Sequence, residues 1–322
     1  MNSRHLVDPE LLALLDAFPN IELSAETLAA VRAVSLPLTV DPHAAAAVDV
    51  ATRSVAGPPG AADVGMRIYT PHNRNGTLPC IFHIHGGGYV AGSAADVEPL
   101  IRPMALALNA VIVSVDYRLA PETRFPGSIE DCYAALSWLF AAATELDIDC
   151  KRIGVMGESA GAGLAAALAL LVRDRGRYRL AFQHLIYPMR DDRTCVTPFP
   201  HPYAGEFLWT TRNNAFGWSA LLGAPPGSDG VSPYAAAARA EDLAGLPPTF
   251  LSTGALDLFL EEDIDYARRL ARHGVPVELH VYPGAFHAFD LDPLSAVARA
   301  ARRDSLAALS RALGNTQPPR DP

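Results

Sequence analysis

The sequence is short of lysine, of basic clusters and of long hydrophobic runs, and each shortage excludes a class of protein. Lys151 is the only lysine, no stretch is rich in Lys and Arg, and the formal net charge is −9. This charge does not suit a nucleic-acid partner. The longest apolar run follows Ser159 and has about a dozen residues, fewer than the roughly twenty that cross a bilayer. We therefore expect neither a nucleic-acid partner nor a membrane.

Cysteine is also scarce, and its four positions lack the C-x-x-C spacing of a zinc site or redox motif. The first residues have neither the apolar core nor the small-residue cleavage site of a signal peptide. Free thiols in a reducing compartment are the simplest interpretation, so we expect a cytoplasmic protein. Because the histidines lack a spacing such as H-E-x-x-H, we expect no metal, and we expect no organic cofactor.

What the sequence does contain is a serine in the pattern Gly157-Glu158-Ser159-Ala160-Gly161. G-x-S-x-G is the pattern of a nucleophile elbow, a sharp strand-to-helix turn that exposes a serine hydroxyl. The apolar run 152–156 before it predicts a strand, and the run 160–175 after it is rich in strong helix formers. This context favours an elbow more than the five letters do.

The 322 residues fit one large α/β domain with an accessory piece. Strands are predicted at 80–84, 110–115, 152–156, 180–187, 249–253 and 277–282. Helices are predicted at 94–108, 128–143, 160–175, 261–273 and 293–313. This alternation predicts a mostly parallel sheet with helices on both faces. Ahead of it, helices are predicted at 8–17 and 24–34, and an antiparallel strand pair at 49–55 and 64–70.

Three consecutive glycines, in His85-Gly86-Gly87-Gly88-Tyr89, follow the predicted strand 80–84. Such a run lets main-chain N–H groups point into a cavity, where they can stabilise the oxyanion of an acyl-transfer reaction. A flexible loop or a phosphate cradle are the alternatives. The absence of G-K-[ST] or G-x-G-x-x-G here argues against a nucleotide.

A reactive serine needs a histidine to accept its proton and an acid to orient that histidine. In α/β-hydrolases the chain order is Ser, acid, His. Asp257 follows a late strand, whereas the acidic residues Glu261, Glu262, Asp263 and Asp265 are predicted to form the solvated first turn of the next helix. His287 lies in the loop after the last strand, and its rivals are His280 inside that strand and His273 at a helix end.

With these motifs the chain resembles the hormone-sensitive-lipase-like (family IV) bacterial esterases of the α/β-hydrolase fold. The resemblance runs from about residue 48 to 313 and is carried by three stretches: 85–88, 116–122 and 157–161. By position it implies Ser159 as nucleophile, Asp257 as acid and His287 as base. It also implies oxyanion N–H donors at Gly87, Gly88 and Ala160. Two departures are Glu158, where the family usually has Asp or Thr, and Asp257-Leu258-Phe259, where it has Asp-Pro-Leu.

The expected organisation has a hydrolase core at 48–187 and 234–314, with 1–47 as an N-terminal helical part of a cap. The aromatic-rich interval 188–233 has no clear strand and is predicted to be a cap insertion, because long excursions in compact domains are often lids. Ordinary packing is the alternative. Residues 315–322 are predicted to be a flexible tail.

The expected function is a serine carboxylesterase that cleaves short- to medium-chain esters through an acyl-enzyme. One alternative is an amidase or formamidase of the same fold acting on aryl amides. Another is a non-hydrolytic small-molecule binding protein. The expected partners are a small-molecule ester and, in a homodimer, a second copy of the chain.

Overall fold

The computed structural model describes residues 2–18, 22–34, 38–74 and 76–314. The tail 315–322, which the sequence predicts to be flexible, lies outside the described residues. Within the described part of the chain, no helix is both long enough and apolar enough to cross a membrane.

Eight strands of the described residues form one sheet. They are β1 (Val48–Val55), β2 (Val64–Pro71), β3 (Leu78–Ile84), β4 (Val111–Asp116), β5 (Ile148–Glu158), β6 (Gln183–Ile186), β7 (Thr249–Gly254) and β8 (Val277–Tyr282). Their order across the sheet is β1-β2-β4-β3-β5-β6-β7-β8. The pairs β1–β2 and β2–β4 are antiparallel, and the remaining pairs are parallel. The predicted α/β fold with a mostly parallel sheet is confirmed.

Helices cover both faces of this sheet. They are α1 (Leu12–Ala17), α2 (Leu28–Arg32), α3 (Pro42–Ala47), α4 (Glu98–Leu108), α5 (Gly127–Ala142), α6 (Ala160–Arg175), α7 (Thr211–Leu222), α8 (Leu260–Arg272) and α9 (Ala296–Ala312). One hydrophobic core contains residues of α5, α6 and α8, and the other contains residues of α4 and α9. As expected for a strand covered on both faces, every residue of β3 is buried.

Helix α6 holds the central position. Its residues from Ala160 to Val172 are all buried, and most are alanine, glycine or leucine. Small side chains let a helix approach the sheet closely, and a helix that is apolar on every side is stable only in the interior. The N-terminus of α6 is therefore fixed firmly at the carboxyl end of β5, in the middle of the sheet.

Several predicted boundaries are wrong, each for a local reason. The helix predicted at 8–17 begins as a 3-10 turn, Pro9–Leu11, which the Asp8 side chain caps by accepting from the N–H of Glu10, and it becomes α-helical only from Leu12. The helix predicted at 24–34 shrinks to α2, since the Thr27 hydroxyl bonds to the backbone of Glu22 and Ser24 instead. The helix predicted from residue 94 begins at Glu98, because Ser93 and Asp96 form a local turn in which their side chains bond to each other and the N–H of Asp96 bonds back to Ser93.

Two further boundaries differ. The strand predicted at 180–187 pairs only as β6. The helix predicted from residue 293 begins at Ala296, where the Ser295 side chain caps it by accepting from the N–H of Ala298.

Candidate active site

Ser159 occupies the turn between β5 and α6, with φ 55° and ψ −122°. A non-glycine residue with positive φ is strained by about 1–3 kcal/mol, and such strain clusters at functional sites. The surroundings hold it there: the N–H of Ser159 donates to the carbonyl of Ile186 at 2.9 Å, and its carbonyl accepts from Met189 at 3.0 Å.

The glycines on either side of the turn are needed for close packing. A Cβ added at Gly157 would come within 2.5 Å of the main chain of Gly161. A Cβ added at Gly161 would come within 2.0 Å of the carbonyl oxygen of Ile84, at the end of β3. Any side chain at either position would push the helix away from the sheet.

Asp257 and His287 reach the serine because parallel strands end at one edge of the sheet. Asp257 follows β7, and His287 follows β8. His287 Nε2 lies 2.9 Å from Ser159 Oγ, and His287 Nδ1 lies 2.8 Å from Asp257 Oδ2. A carboxylate only accepts hydrogen bonds, so the proton sits on Nδ1 and Nε2 is left to accept from the serine hydroxyl.

All three side chains are shielded from water. Ser159 is 7% exposed, His287 6% and Asp257 0%. The second carboxylate oxygen of Asp257 accepts the N–H of Phe259 at 2.9 Å, which fixes the plane of the carboxylate. The ring of Phe259 meets the imidazole edge-on at 5.2 Å. This arrangement can deprotonate the serine without rearrangement.

The glycine-rich loop after β3 lies beside Ser159, since a Cβ added at Gly86 would come within 3.4 Å of the Ser159 Cβ. Gly87 and Gly88 have φ of 113° and 62°. No backbone hydrogen bond of the described residues uses the N–H of Gly87, Gly88 or Ala160, so these donors are available to a ligand. Ala160 is the first residue of α6, where a helix leaves N–H groups unpaired and concentrates positive partial charge.

Two side chains anchor this loop, one at each end. The Tyr117 hydroxyl donates to the carbonyl of His85 at 3.0 Å, and its ring stacks on the His85 imidazole with centroids 4.4 Å apart. Arg32 of α2 donates from Nε to the carbonyl of Val90 at 2.7 Å. The sequence predicted no role for Arg32, because α2 lies more than fifty residues before the loop that it contacts.

A buried polar chain joins the loop to the nucleophile turn. His83 Nε2 lies 2.9 Å from Glu158 Oε2, and His83 Nδ1 lies 2.9 Å from Ser114 Oγ. His83 is fully buried on β3, two residues before the glycine-rich loop. Glu158, where the family usually has Asp or Thr, thus connects the nucleophile turn to β3, the strand that precedes the glycine-rich loop.

The prediction that the acidic residues after Asp257 form a solvated helix turn is wrong for two of them. Glu261 and Asp265 are exposed as predicted, but Glu262 and Asp263 are buried rather than solvated. The helical repeat turns these two toward Arg190, a buried residue just after β6. Arg190 lies 72 residues away in sequence, and for that reason no local pattern could reveal it.

Arg190 joins this acidic pair to the insertion. The N–H of Arg190 donates to Glu262 Oε1 at 2.9 Å, and its guanidinium donates to Asp263 Oδ1 at 3.0 Å. The guanidinium also lies over the ring of Tyr266, 4.3 Å from the centroid. Burial raises the pKa of Glu262 to about 8, although Arg190 opposes this, and burial raises the pKa of Asp263 as well.

Part of the interval 188–233 lies directly over the site. A Cβ added at Gly88 would come within 2.1 Å of the Trp209 ring. The same ring lies 6.2 Å from the His287 imidazole, centroid to centroid. In the sequence, Trp209 is only one of the residues that make this interval aromatic-rich. In the described residues, no group of His, Cys, Asp or Glu is arranged to hold a metal ion.

Comparisons with known proteins agree with this geometry. Residues 81–291 match a protein family described by the α/β-hydrolase fold. The carboxylesterase NlhH of Mycobacterium tuberculosis (strain ATCC 25618 / H37Rv) is 36% identical over 312 residues, covering 95% of this chain and 96% of that protein. The esterase LipI of the same strain is 34% identical over 295 residues, covering 85% of each chain.

Two similar solved structures are also esterases. A bacterial heroin esterase is similar with a TM-score of 0.87 and 39% identity, covering 97% of this chain and 99% of that one. The esterase LipW from Mycobacterium marinum is similar with a TM-score of 0.82 and 32% identity, covering 97% of each chain.

Proposed function

Because the chain belongs to the α/β-hydrolase family, in its hormone-sensitive-lipase-like branch, and is a carboxylic ester hydrolase, we propose that Ser159 is its nucleophile and short- to medium-chain esters are its substrates. One observation carries the assignment of the nucleophile: the continuous hydrogen-bonded chain from Ser159 through His287 to Asp257. That chain is what a serine needs to attack a carbonyl carbon at neutral pH.

In the first half of the reaction, Ser159 Oγ attacks the ester carbonyl while His287 Nε2 accepts the serine proton. Asp257 stabilises the resulting imidazolium and keeps its Nδ1–H directed at the carboxylate. His287 then passes the proton to the leaving alcohol, and the acyl group stays on Ser159.

The carbonyl oxygen becomes negatively charged during the attack. We propose that the N–H groups of Gly87, Gly88 and Ala160 receive it, since no backbone bond of the described residues occupies them. Removing one such donor typically costs roughly 3 kcal/mol of transition-state stabilisation.

In the second half, a water molecule takes the position of the alcohol. His287 accepts a proton from this water, the water oxygen attacks the acyl carbon, and the proton returns to Ser159 as the carboxylic acid leaves. The same three side chains thus serve both halves of the reaction.

We propose that residues 1–47 and 188–233 form a cap over a core of residues 48–187 and 234–314. Contacts between the two cap segments support this: the Ser3 hydroxyl donates to Glu206 at 2.6 Å, and the N–H of Leu23 donates to Asn213 at 2.9 Å. A cap that encloses the site favours small esters over long triglycerides.

Two further expectations stay proposals. A cytoplasmic location is supported by the four free cysteines, since thiols persist in reducing compartments; cell fractionation tests it. A homodimer is supported by Leu279 and Val281 on the edge strand β8, which are 37% and 40% exposed. Light scattering at several protein concentrations tests it.

The substrate proposal is tested with p-nitrophenyl esters of rising acyl length, each measured beside the matching p-nitroanilide. We expect kcat/KM to be highest between acetate and hexanoate, and each ester to be cleaved far faster than its anilide. A maximum at laurate or longer, or faster cleavage of the anilides, would contradict the proposal.

A further inference from the structure

A segment of five residues in the 188–233 interval contacts the loops that surround Ser159. We call it the 205–209 bridge: Gly205-Glu206-Phe207-Leu208-Trp209. The N–H of Gly205 donates to the carbonyl of Leu256 at 3.0 Å, immediately before Asp257. The Glu206 carboxylate accepts from the N–H of Ser3 at 2.7 Å and from its hydroxyl at 2.6 Å. The first half of the bridge is thus fixed to the acid loop and to the N-terminal segment.

The second half reaches both other walls of the site. The Phe207 ring packs against Phe286, the neighbour of His287, with centroids 6.0 Å apart. The Trp209 ring packs directly on the main chain of Gly88, where it leaves no room for a Cβ. One continuous segment therefore contacts the loops of all three groups that the reaction needs near Ser159: acid, base and oxyanion donors.

Backbone geometry and hydrogen bonds constrain the second half of the bridge. Leu208 has φ 55°, and the N–H of Trp209 donates back to the carbonyl of Phe207 at 2.6 Å, which makes a tight reversal. A leucine stays in this left-handed region only when its surroundings determine it. The indole N–H donates to Asn214 Oδ1 at 3.1 Å, and Asn214 is fully buried, so the orientation of the ring is fixed as well.

The position of the ring decides which part of an ester it meets. The alcohol oxygen of the substrate must face His287 Nε2, because it takes its proton there. The carbonyl oxygen must face the N–H groups of Gly87 and Gly88. The half-buried indole of Trp209 covers Gly88 on the oxyanion side and lies 6.2 Å from the His287 imidazole, centroid to centroid, so it borders the space around the reacting carbon into which an acyl chain extends.

We propose that Trp209 is the specificity-determining residue that limits acyl-chain length, so that esters of acetic to butyric acid fit without displacing it. This inference rests on the proposed function of Ser159 as nucleophile. A small acyl group ends before the indole, whereas a longer one meets a ring that the Asn214 hydrogen bond and the Leu208 reversal prevent from moving aside.

The test measures kcat/KM of Trp209→Ala and of the parent on p-nitrophenyl acetate, butyrate and octanoate. Loss of the ring opens the space beside Gly88, so we expect the octanoate-to-acetate ratio to rise by at least about tenfold, the scale of apolar pocket discrimination. Phe199→Ala is the matched control: this aromatic residue of the same interval is 85% exposed, and its loss should leave the ratio unchanged.

An octanoate-to-acetate ratio in Trp209→Ala that equals the parent ratio would overturn the inference. If the variant then shows a shifted preference in a series of acetates of differently sized alcohols, Trp209 lies on the alcohol side. If Trp209→Ala does not fold by circular dichroism, Trp209→Phe replaces it, with a smaller rise expected for hexanoate. Failure of the proposed function looks different, because the parent itself would then cleave none of these esters.

Discussion

At the scale of single residues, the site depends on a hydrogen-bond chain that needs no movement before reaction. Ser159 is strained by its backbone, and His287 is held between two oxygens at 2.9 and 2.8 Å. Asp257 in turn is held by the N–H of Phe259. Each member of the chain is oriented by the next, so a change in the last one reaches the first.

Asp257→Asn tests this dependence. An amide at residue 257 can donate to Nδ1, which moves the imidazole proton to Nε2 and leaves no acceptor for the serine proton. We expect kcat for a p-nitrophenyl ester to fall by about 10⁴-fold without loss of folding, the effect of the same change in a serine protease. Glu261→Gln is the control, because Glu261 is exposed on α8 and contacts none of the three residues. A severe loss in the control with a mild loss in Asp257→Asn would move the acid elsewhere.

At the scale of elements, helix α2 stabilises the glycine-rich loop from outside. Besides the Val90 carbonyl, Arg32 donates to the carbonyl of Ala120 at 2.9 Å and makes a bidentate pair with Glu122 at 2.7 and 2.8 Å. The ion pair is partly exposed and contributes little alone. The bond to Val90 links α2 to the end of the loop directly, and the bond to Ala120 does so through the N–H of Ala120, which donates to the carbonyl of Tyr89 at 3.0 Å.

Arg32→Ala should therefore lower kcat several-fold while KM changes less, because the proposed oxyanion donors of the loop would act on the transition state more than on the bound ester. Arg32→Lys should not restore kcat, since an ammonium cannot reproduce the planar fork that contacts three groups at once. Arg4→Ala is the control: Arg4 pairs with Asp16 at the surface and does not contact the loop. Equal losses in Arg4→Ala and Arg32→Ala would show a general effect of the N-terminal segment.

Helix α8 binds the start of the 188–233 interval through Glu262, and this attachment depends on pH. The pKa of Glu262 is about 8 in the folded protein, well above its ordinary value near 4.5. Between these values the folded state binds more protons than the unfolded state, so the stability from this group is complete below about pH 4.5 and is lost as the pH rises through about 8.

Glu262→Gln removes the titration while keeping an oxygen that can accept the N–H of Arg190. We expect its melting temperature, relative to that of the parent, to improve between pH 6 and pH 9. Glu261→Gln, on the exposed side of the same helix, should show no such relative change. A constant difference in melting temperature between Glu262→Gln and the parent across this range would contradict the assignment.

At the scale of the whole molecule, the sheet brings distant residues to one place. Strands β5, β7 and β8 run parallel, so the residues that follow them meet at one edge although they are up to 128 residues apart in sequence. Chain order and strand ends were sufficient to place Ser159, Asp257 and His287 near this edge, because both follow from the alternation of strands and helices.

The sequence could not predict what depends on contacts across long distances. The burial of Glu262 and Asp263 follows from Arg190, and acidic residues at the start of a helix otherwise face water. The position of Trp209 over Gly88 follows from a tight reversal in an interval without periodic pattern. The shortening of α2 follows from side-chain hydrogen bonds that compete with the helix.

The proposed mechanism depends above all on Ser159 Oγ being the atom to which the acyl group is transferred. The most direct measurement is treatment with diethyl p-nitrophenyl phosphate, followed by peptide mass spectrometry and an esterase assay of the same sample. We predict one stable phosphoryl adduct, on the peptide that contains Ser159, rising in step with the loss of activity and absent in Ser159→Ala. An adduct on another residue, or full esterase activity in Ser159→Ala, would contradict the account.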